Sequence, residues 1–238
     1  MRSGRNRQCG ATLVSLMVGL VVSMVAVLGM LALYRTAVQV TSESTRYARV
    51  TGDRAAAIIN AETLLQNAGY GIDGAVLASA VVLCDDISAG SNGYQPSSCT
   101  AAIVDQQQPV MIWRFATLAA PLGSGPAASR CEGLAIENGQ LLYLHALPCA
   151  STTALPSWSH DDVSVLFATS GLAGGVFAGI ELESEPCAAF GVGGTGTIMA
   201  TLEAHHPITD DPEDYRPTDP ATFRQFFSRT CLTNIGGS

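Results

Sequence analysis

The sequence predicts an α+β fold: one long N-terminal helix whose C-terminal half packs against an antiparallel β-sheet domain. Three observations predict it. Residues 11–33 read ATLVSLMVGLVVSMVAVLGMLAL without a single charge. Residues 34–68 stay helical in character, rich in good helix formers and free of Pro. Beyond Gly71 the pattern changes to short β-rich runs broken by Gly, Ser and Pro. The organisation expected is therefore a leader at 1–10, a stem at 11–71 with 11–33 crossing a membrane, and a β-rich head at 72–238.

The first element begins after MRSGRNRQCG, which carries Arg2, Arg5 and Arg7 and almost nothing apolar. At 1.5 Å per residue, residues 11–33 span about 35 Å, enough to cross a bilayer core. Arg before the segment keeps its N-terminus cytoplasmic, so the rest is exported. A secretory signal has a shorter apolar core and a small-residue cleavage site after it; neither is present here. Cys9 is not a lipoprotein cysteine, because basic and polar residues precede it. A plain signal anchor carrying a periplasmic enzyme or binding domain is the alternative from another class. Within the apolar run, Ser15, Gly19 and Ser23 are spaced by four and share one face, as in small-xxx-small helix contacts; chance enrichment in small residues explains them equally well.

The second half of the helix carries an apolar stripe at Ala48, Ala55, Ile58, Ile59, Ala61 and Leu65. Gly52 beside Asp53 marks a kink or restart, and Gly69 and Gly71 supply the stop. In the head, strands are expected at 76–83, 110–118, 163–169, 176–182, 195–202 and 223–232. Residues 134–137 and 140–145 flank Asn138-Gly139, the preferred two-residue hairpin turn. Loops are expected at 88–98 and 122–130.

Composition narrows the function. Charged residues are only 13%, low for a cytosolic enzyme, and the net charge is −8 with no basic stripe in the head. Nucleic-acid binding, which needs clustered cations, is not expected. Cys84, Cys99, Cys131, Cys149, Cys187 and Cys231 fit no zinc spacing. An even number of exported cysteines reads as three disulfides. Neighbour pairing (84–99, 131–149, 187–231) is the simplest of 15 connectivities.

Other motifs carry less. Gly191, Gly193 and Gly196 match G-x-G-x-x-G, but β-branched residues follow where a dinucleotide site needs a helix, so a Gly-rich hairpin loop is expected. His205 and His206 precede an acidic stretch at 210–219, holding Asp210, Asp211, Glu213, Asp214 and Asp219. Interleaved prolines favour a stiff solvated loop over a calcium site, and no EF-hand pattern occurs. His160-Asp161-Asp162 reads as a turn before a strand. No catalytic triad, carboxylate pair or G-x-S-x-G is present, so no enzyme activity and no cofactor are expected.

The junction Gly10-Ala11-Thr12-Leu13-Val14-Ser15 resembles the cleavage signal of type IV prepilins: a short basic leader, a Gly, then an apolar helix. Gly10, Thr12 and Leu13 match; Ala11 stands for the usual Phe and Ser15 for the usual Glu. The run Leu64-Leu65-Gln66-Asn67-Ala68-Gly69-Tyr70-Gly71 and the run Arg224-Gln225-Phe226-Phe227-Ser228-Arg229-Thr230 resemble the PilW family of pilus assembly proteins, and 162–167 resembles its middle strand more loosely. The resemblance implies a lollipop-shaped pilin fold. It implies cleavage between Gly10 and Ala11 by prepilin peptidase, with methylation of Ala11. It implies partners too: other pilins and minor pilins through the helix, and an inner-membrane assembly platform. The implied function is priming or capping a type IV pilus used in twitching, adhesion or DNA uptake. A minor pseudopilin of a type II secretion system shares the same stem and is the runner-up. The implied location is the inner membrane, with the head in the periplasm, and then the pilus.

Overall fold

The computed structural model describes residues 13–91, 93–117, 128–168, 177–188, 196–207 and 223–236. The chain divides into two compact units, residues 1–52 and 53–238. In the first unit the described residues are all helical. They belong to α1, which runs unbroken over Leu13–Leu65. The helix does not restart at Gly52: a lone helical Gly costs only about 1 kcal/mol against Ala, too little to break a helix continued on both sides. Hydroxyls along this stretch satisfy themselves on the preceding turn. Ser23, Thr36, Thr41 and Thr45 each donate to the carbonyl four residues back, at 2.8–3.2 Å.

Among its described residues the second unit holds the last turns of α1, a single turn α2 (Leu77–Ala80), and ten strands. These are β1 (Val81–Gly90), β2 (Gly93–Ala101), β3 (Gln106–Gln108), β4 (Val110–Thr117), β5 (Ala128–Glu137), β6 (Gln140–Pro148), β7 (Val163–Phe167), β8 (Phe177–Cys187), β9 (Gly196–Pro207) and β10 (Phe223–Cys231). They form a six-stranded sheet, β2-β1-β4-β5-β6-β7, and a four-stranded sheet, β10-β9-β8-β3. Among the described residues every pair of these strands is antiparallel.

Alternation along the strands gives the larger sheet two buried faces. On one, Val82, Cys84, Val110, Ile112, Ala135, Leu142 and Leu144 pack with Trp158. On the other, Leu83, Met111, Trp113, Leu134 and Leu141 are buried, and β4 and β5 lie against β8 of the second sheet. The helical residues 54, 57, 61 and 65 are spaced three and four apart and all buried. This corrects the expected stripe: Ile58 is half-buried, whereas Ala48, Ala55 and Ile59 are exposed because they fall on the outer side of the helix.

Three further corrections concern boundaries. Residues 88–98 are not a loop but most of the β1–β2 hairpin. Pro96 is tolerated there because β2 is an edge strand, where a missing N–H need not break the ladder. Residues 77–80 form α2 rather than the start of a strand, and β1 begins at Val81. The expected loop at 122–130 lies mostly outside the described residues, but Ala128 already opens β5. The hairpin at Asn138-Gly139 is as the sequence predicts, with φ of 50° and 73°, the left-handed pair of a type I′ turn.

Candidate functional site

The candidate site is the apolar stretch of α1. Leu13–Ser42 is long and apolar enough to cross a membrane, and none of it is buried. No carboxylate or arginine interrupts it until Arg35. Leu13 is the first described residue; Gly10, Ala11 and Thr12 lie outside the described residues. Ser15, Gly19 and Ser23 sit on one side of the helix, within an arc of about 80° at 3.6 residues per turn. Ser23 Oγ donates to the Gly19 carbonyl at 2.8 Å, and nothing lies within 4 Å of a Cβ built at Gly19.

The other end of α1 is tied into the second unit by groups the sequence reading missed. Glu132, 2% exposed, sits on β5. Its carboxylate accepts from Trp113 Nε1 at 3.0 Å, Tyr143 Oη at 2.7 Å and Asn67 Nδ2 at 3.3 Å. A Glu in the apolar run CEGLAI was the available signal, since an unpartnered buried carboxylate is very costly. The Tyr143 phenol is held well above its ordinary range, first by burial, then by its hydrogen bond to Glu132 and that group's charge.

The chain leaves the helix through Gly69-Tyr70-Gly71. Gly69 has φ +75° and Gly71 φ +68°, the left-handed region where Gly is favoured. A Cβ on Gly69 would stand 2.9 Å from the Asn234 carbonyl, and one on Gly71 2.8 Å from that of Ala116. The close approach allows two backbone bonds: Gly69 N–H to the Arg114 carbonyl at 3.0 Å, and Ala116 N–H to the Tyr70 carbonyl at 2.8 Å. Asn234 Nδ2 donates to the Gln66 carbonyl at 2.7 Å. Ser228 on β10 donates to Glu62, and the Arg54 guanidinium lies 4.9 Å from the centre of the Phe226 ring. Residues 226 and 228 of β10 thus touch α1 at Arg54 and Glu62, within its last turns.

The six cysteines beyond residue 71 form three disulfides, Cys84–Cys99, Cys131–Cys149 and Cys187–Cys231. The first crosses directly opposed residues of β1 and β2. The last passes over the start of β9, where a Cβ on Gly196 would meet Cys231 Sγ at 2.4 Å. That gives the last glycine of the G-x-G-x-x-G run a steric role in an antiparallel β8–β9 pair, a context with no βαβ unit. Gly191 and Gly193 lie outside the described residues, as does the acidic stretch 210–219.

His205 Nε2 lies 3.1 Å from Glu203 Oε1 on the same strand. On the same sheet, Arg229 bridges Glu183 and Glu185, which hold its guanidinium above its ordinary pKa. Among the described residues no cluster of His, Cys, Asp and Glu is arranged to hold a metal ion. His160-Asp161-Asp162 forms one 3-10 turn before β7, capped by mutual bonds between Ser159 and Asp162. Those bonds hold the Asp162 carboxyl below its ordinary pKa, the Ser159 hydroxyl contributing most.

No protein-family model matches the chain, and no curated protein or solved structure matches it.

Proposed function

We propose that the chain is a minor pilin-like subunit, similar to PilW proteins, that primes or caps a type IV pilus and acts by assembly rather than catalysis. The observation that carries this reading is α1 itself. One uninterrupted helix is exposed over its first thirty described residues, which are apolar enough to cross a membrane, yet is buried along one face at residues 54–65 in a disulfide-bonded β domain. An exposed apolar surface of that extent in water is unstable, so it demands lipid or other helices around it. Tyr34 and Arg35, at the end of the uncharged run, are the residue types that mark a bilayer boundary. Disulfides agree with an oxidising compartment on the far side.

The test is the intact mass of the membrane-extracted protein. The reading expects loss of residues 1–10 and a methyl group on Ala11. Retention of Met1 in cells with active prepilin peptidase returns the chain to a plain signal anchor. Cleavage is common to pili and secretion pseudopili, so neighbouring pilus genes or secretion genes separate those two.

Ser15 refines the reading. A Glu at this place in typical pilins is thought to pair with the N-terminal amine of the subunit before it. A carboxylate at mid-membrane costs roughly 2.5–3.5 kcal/mol on insertion scales, a cost that pairing offsets. A subunit with no predecessor has no amine to meet, and a neutral Ser avoids the cost. We therefore place this subunit first, or among the first, to enter, which leaves it at the tip. Immunogold label against the head is expected at filament ends; label along the shaft counts against a tip role.

A further inference from the structure

Strand β2 is held in place by little besides its ladder to β1 and one covalent bond. It ends the six-stranded sheet, and from Tyr94 to Ala101 none of its residues is buried. Gly93, Pro96, Ser97 and Ser98 are loop formers. The ladder itself has a fault: the pairing skips Asp85 and Ser98, and Ser98 has φ 53°, the left-handed region that a non-Gly residue seldom enters. Among the described residues the only side-chain hydrogen bond from Gln95–Ala101 is a weak one, Cys99 Sγ to the Ser97 carbonyl at 3.9 Å. The Cys84–Cys99 disulfide stands directly beside the fault. The turn end of the strand is secured separately, because Tyr94 and Trp158 exchange two backbone bonds at 2.7 and 3.2 Å.

This bridge is also the most open of the three. Cys99 is half-buried on an edge strand, whereas Cys131 and Cys149 are only 0% and 8% exposed. The sulfurs of Cys187 and Cys231 are crowded by Gly196, whose Cβ would stand 2.9 and 2.4 Å from them. We propose that Cys84–Cys99 is a redox-operated latch. A dithiol reductant opens it, residues 95–101 come away from β1, and the edge of the larger sheet at Val81–Cys84 is uncovered. The reductant's thiolate attacks Cys99 Sγ, and the electron pair of the S–S bond leaves on Cys84, which takes up a proton. The second thiol of the reductant then displaces Cys99 as a thiol and closes the reductant's own disulfide. Two electrons and two protons pass to the protein. Oxidation reverses the change, since Cys84 and Cys99 are directly opposed whenever β2 is paired. A bare strand edge is a template for another strand, so reduction converts a closed surface into one that pairs. The two covered bridges keep the rest of the unit folded meanwhile.

The test uses the full-length protein in detergent, reduced with graded dithiothreitol, alkylated, and mapped by peptide mass spectrometry. Cys84 and Cys99 should be alkylated first, about tenfold faster than the other four cysteines. In the protein reduced at that bridge alone, amide hydrogen exchange over 95–101 should rise about a hundredfold, while β4 and β5 stay protected. Re-oxidation should restore the protection. The C84S/C99S variant should show the same open segment without any reductant. The latch is overturned if either of the other bridges opens first. It is equally overturned if exchange over 95–101 does not change, or if it rises by the same factor in every strand, because the bridge then only stabilises the unit as a whole. Should the variant fail to fold, the reduced wild-type protein still decides between these outcomes.

Discussion

Replacing Glu132 tests how much the buried carboxylate stabilises the larger sheet through the donors that converge on it. In Glu132→Ala, three donors lose their acceptor. Trp113 is fully buried, so its indole N–H faces the whole penalty of an unmade bond, about 1–3 kcal/mol. Tyr143 is half-buried and turns partly to water, which we take as about 1 kcal/mol or less. Asn67 is exposed and its bond is the longest of the three, so its loss is close to neutral. The truncated side chain also leaves a small void. Against this, removal of a buried charge recovers some desolvation. The net expectation is a loss of about 3 kcal/mol for Ala. For Glu132→Gln, which keeps the volume and one acceptor, it is about 1 kcal/mol. Urea unfolding of the detergent-solubilised chain reads this directly, since Trp113 and Trp158 are its two tryptophans and both lie in the second unit. An Ala variant within about 0.5 kcal/mol of wild type, at unchanged slope, refutes the reasoning.

Gly196→Ala is expected to destabilise the second unit by about 1–3 kcal/mol, because the new methyl meets the Cys187–Cys231 disulfide; thermal unfolding should show the penalty shrink when both cysteines are replaced by Ala. Removing the Cys84–Cys99 bridge, which closes a segment with a sequence separation of 15, should cost around 3 kcal/mol in denaturant melts. Tyr143 gives a pH signature. Its folded pKa is raised, so the stability it contributes is complete below the unfolded value near 10 and is lost as pH climbs above it. The stability gap between wild type and Tyr143→Phe should therefore narrow above about pH 10, and a constant gap would contradict the assigned environment.

What the sequence made legible follows from how local each signal is. The helix, its apolar half and the Asn138-Gly139 turn are written in contiguous residues, and each element appears where its pattern lies. Neighbour pairing of the cysteines worked for a related reason: in an antiparallel meander, sequence neighbours become spatial neighbours, as Cys84 and Cys99 do across one hairpin. Non-local features were not legible. The β2 strand was obscured because Gly93, Pro96, Ser97 and Ser98 are loop formers, and only its seat beside β1 with Tyr94 bonded to Trp158 makes it a strand. Likewise the buried face of α1 rotates away from Ala55 and Ile59 to include Arg54, which enters the interface because Phe226 receives its guanidinium. Glu132 had a signal, a charge in an apolar strand, but its three partners come from β4, β6 and the turn after α1.

On the proposed reading one helix has to serve in lipid, in a protein bundle and beside water. A backbone in a helix satisfies its own hydrogen bonds, so its polar demand on the surroundings comes only from side chains. Between Tyr34 and Arg46 most of the hydroxyls are closed on the helix itself. Thr36, Thr41 and Thr45 donate to the carbonyls one turn back, and Ser42 donates to Gln39. Such hydroxyls are neither expensive in an apolar setting nor dependent on water, and the length Leu13–Ser42 that is apolar enough to span a membrane exceeds what a bilayer core of about 30 Å requires. A plain anchor needs only enough apolar length to cross once. A subunit that, on the proposed reading, leaves the bilayer and is surrounded by other helices gains from a surplus. The hydroxyl-bearing turns just outside the lipid then tolerate apolar neighbours without leaving a polar group unsatisfied. Charges become frequent only from Glu43, followed by Arg46, Arg49 and Asp53, and a charge among apolar neighbours is far more costly than a self-bonded hydroxyl, so that tolerance ends there.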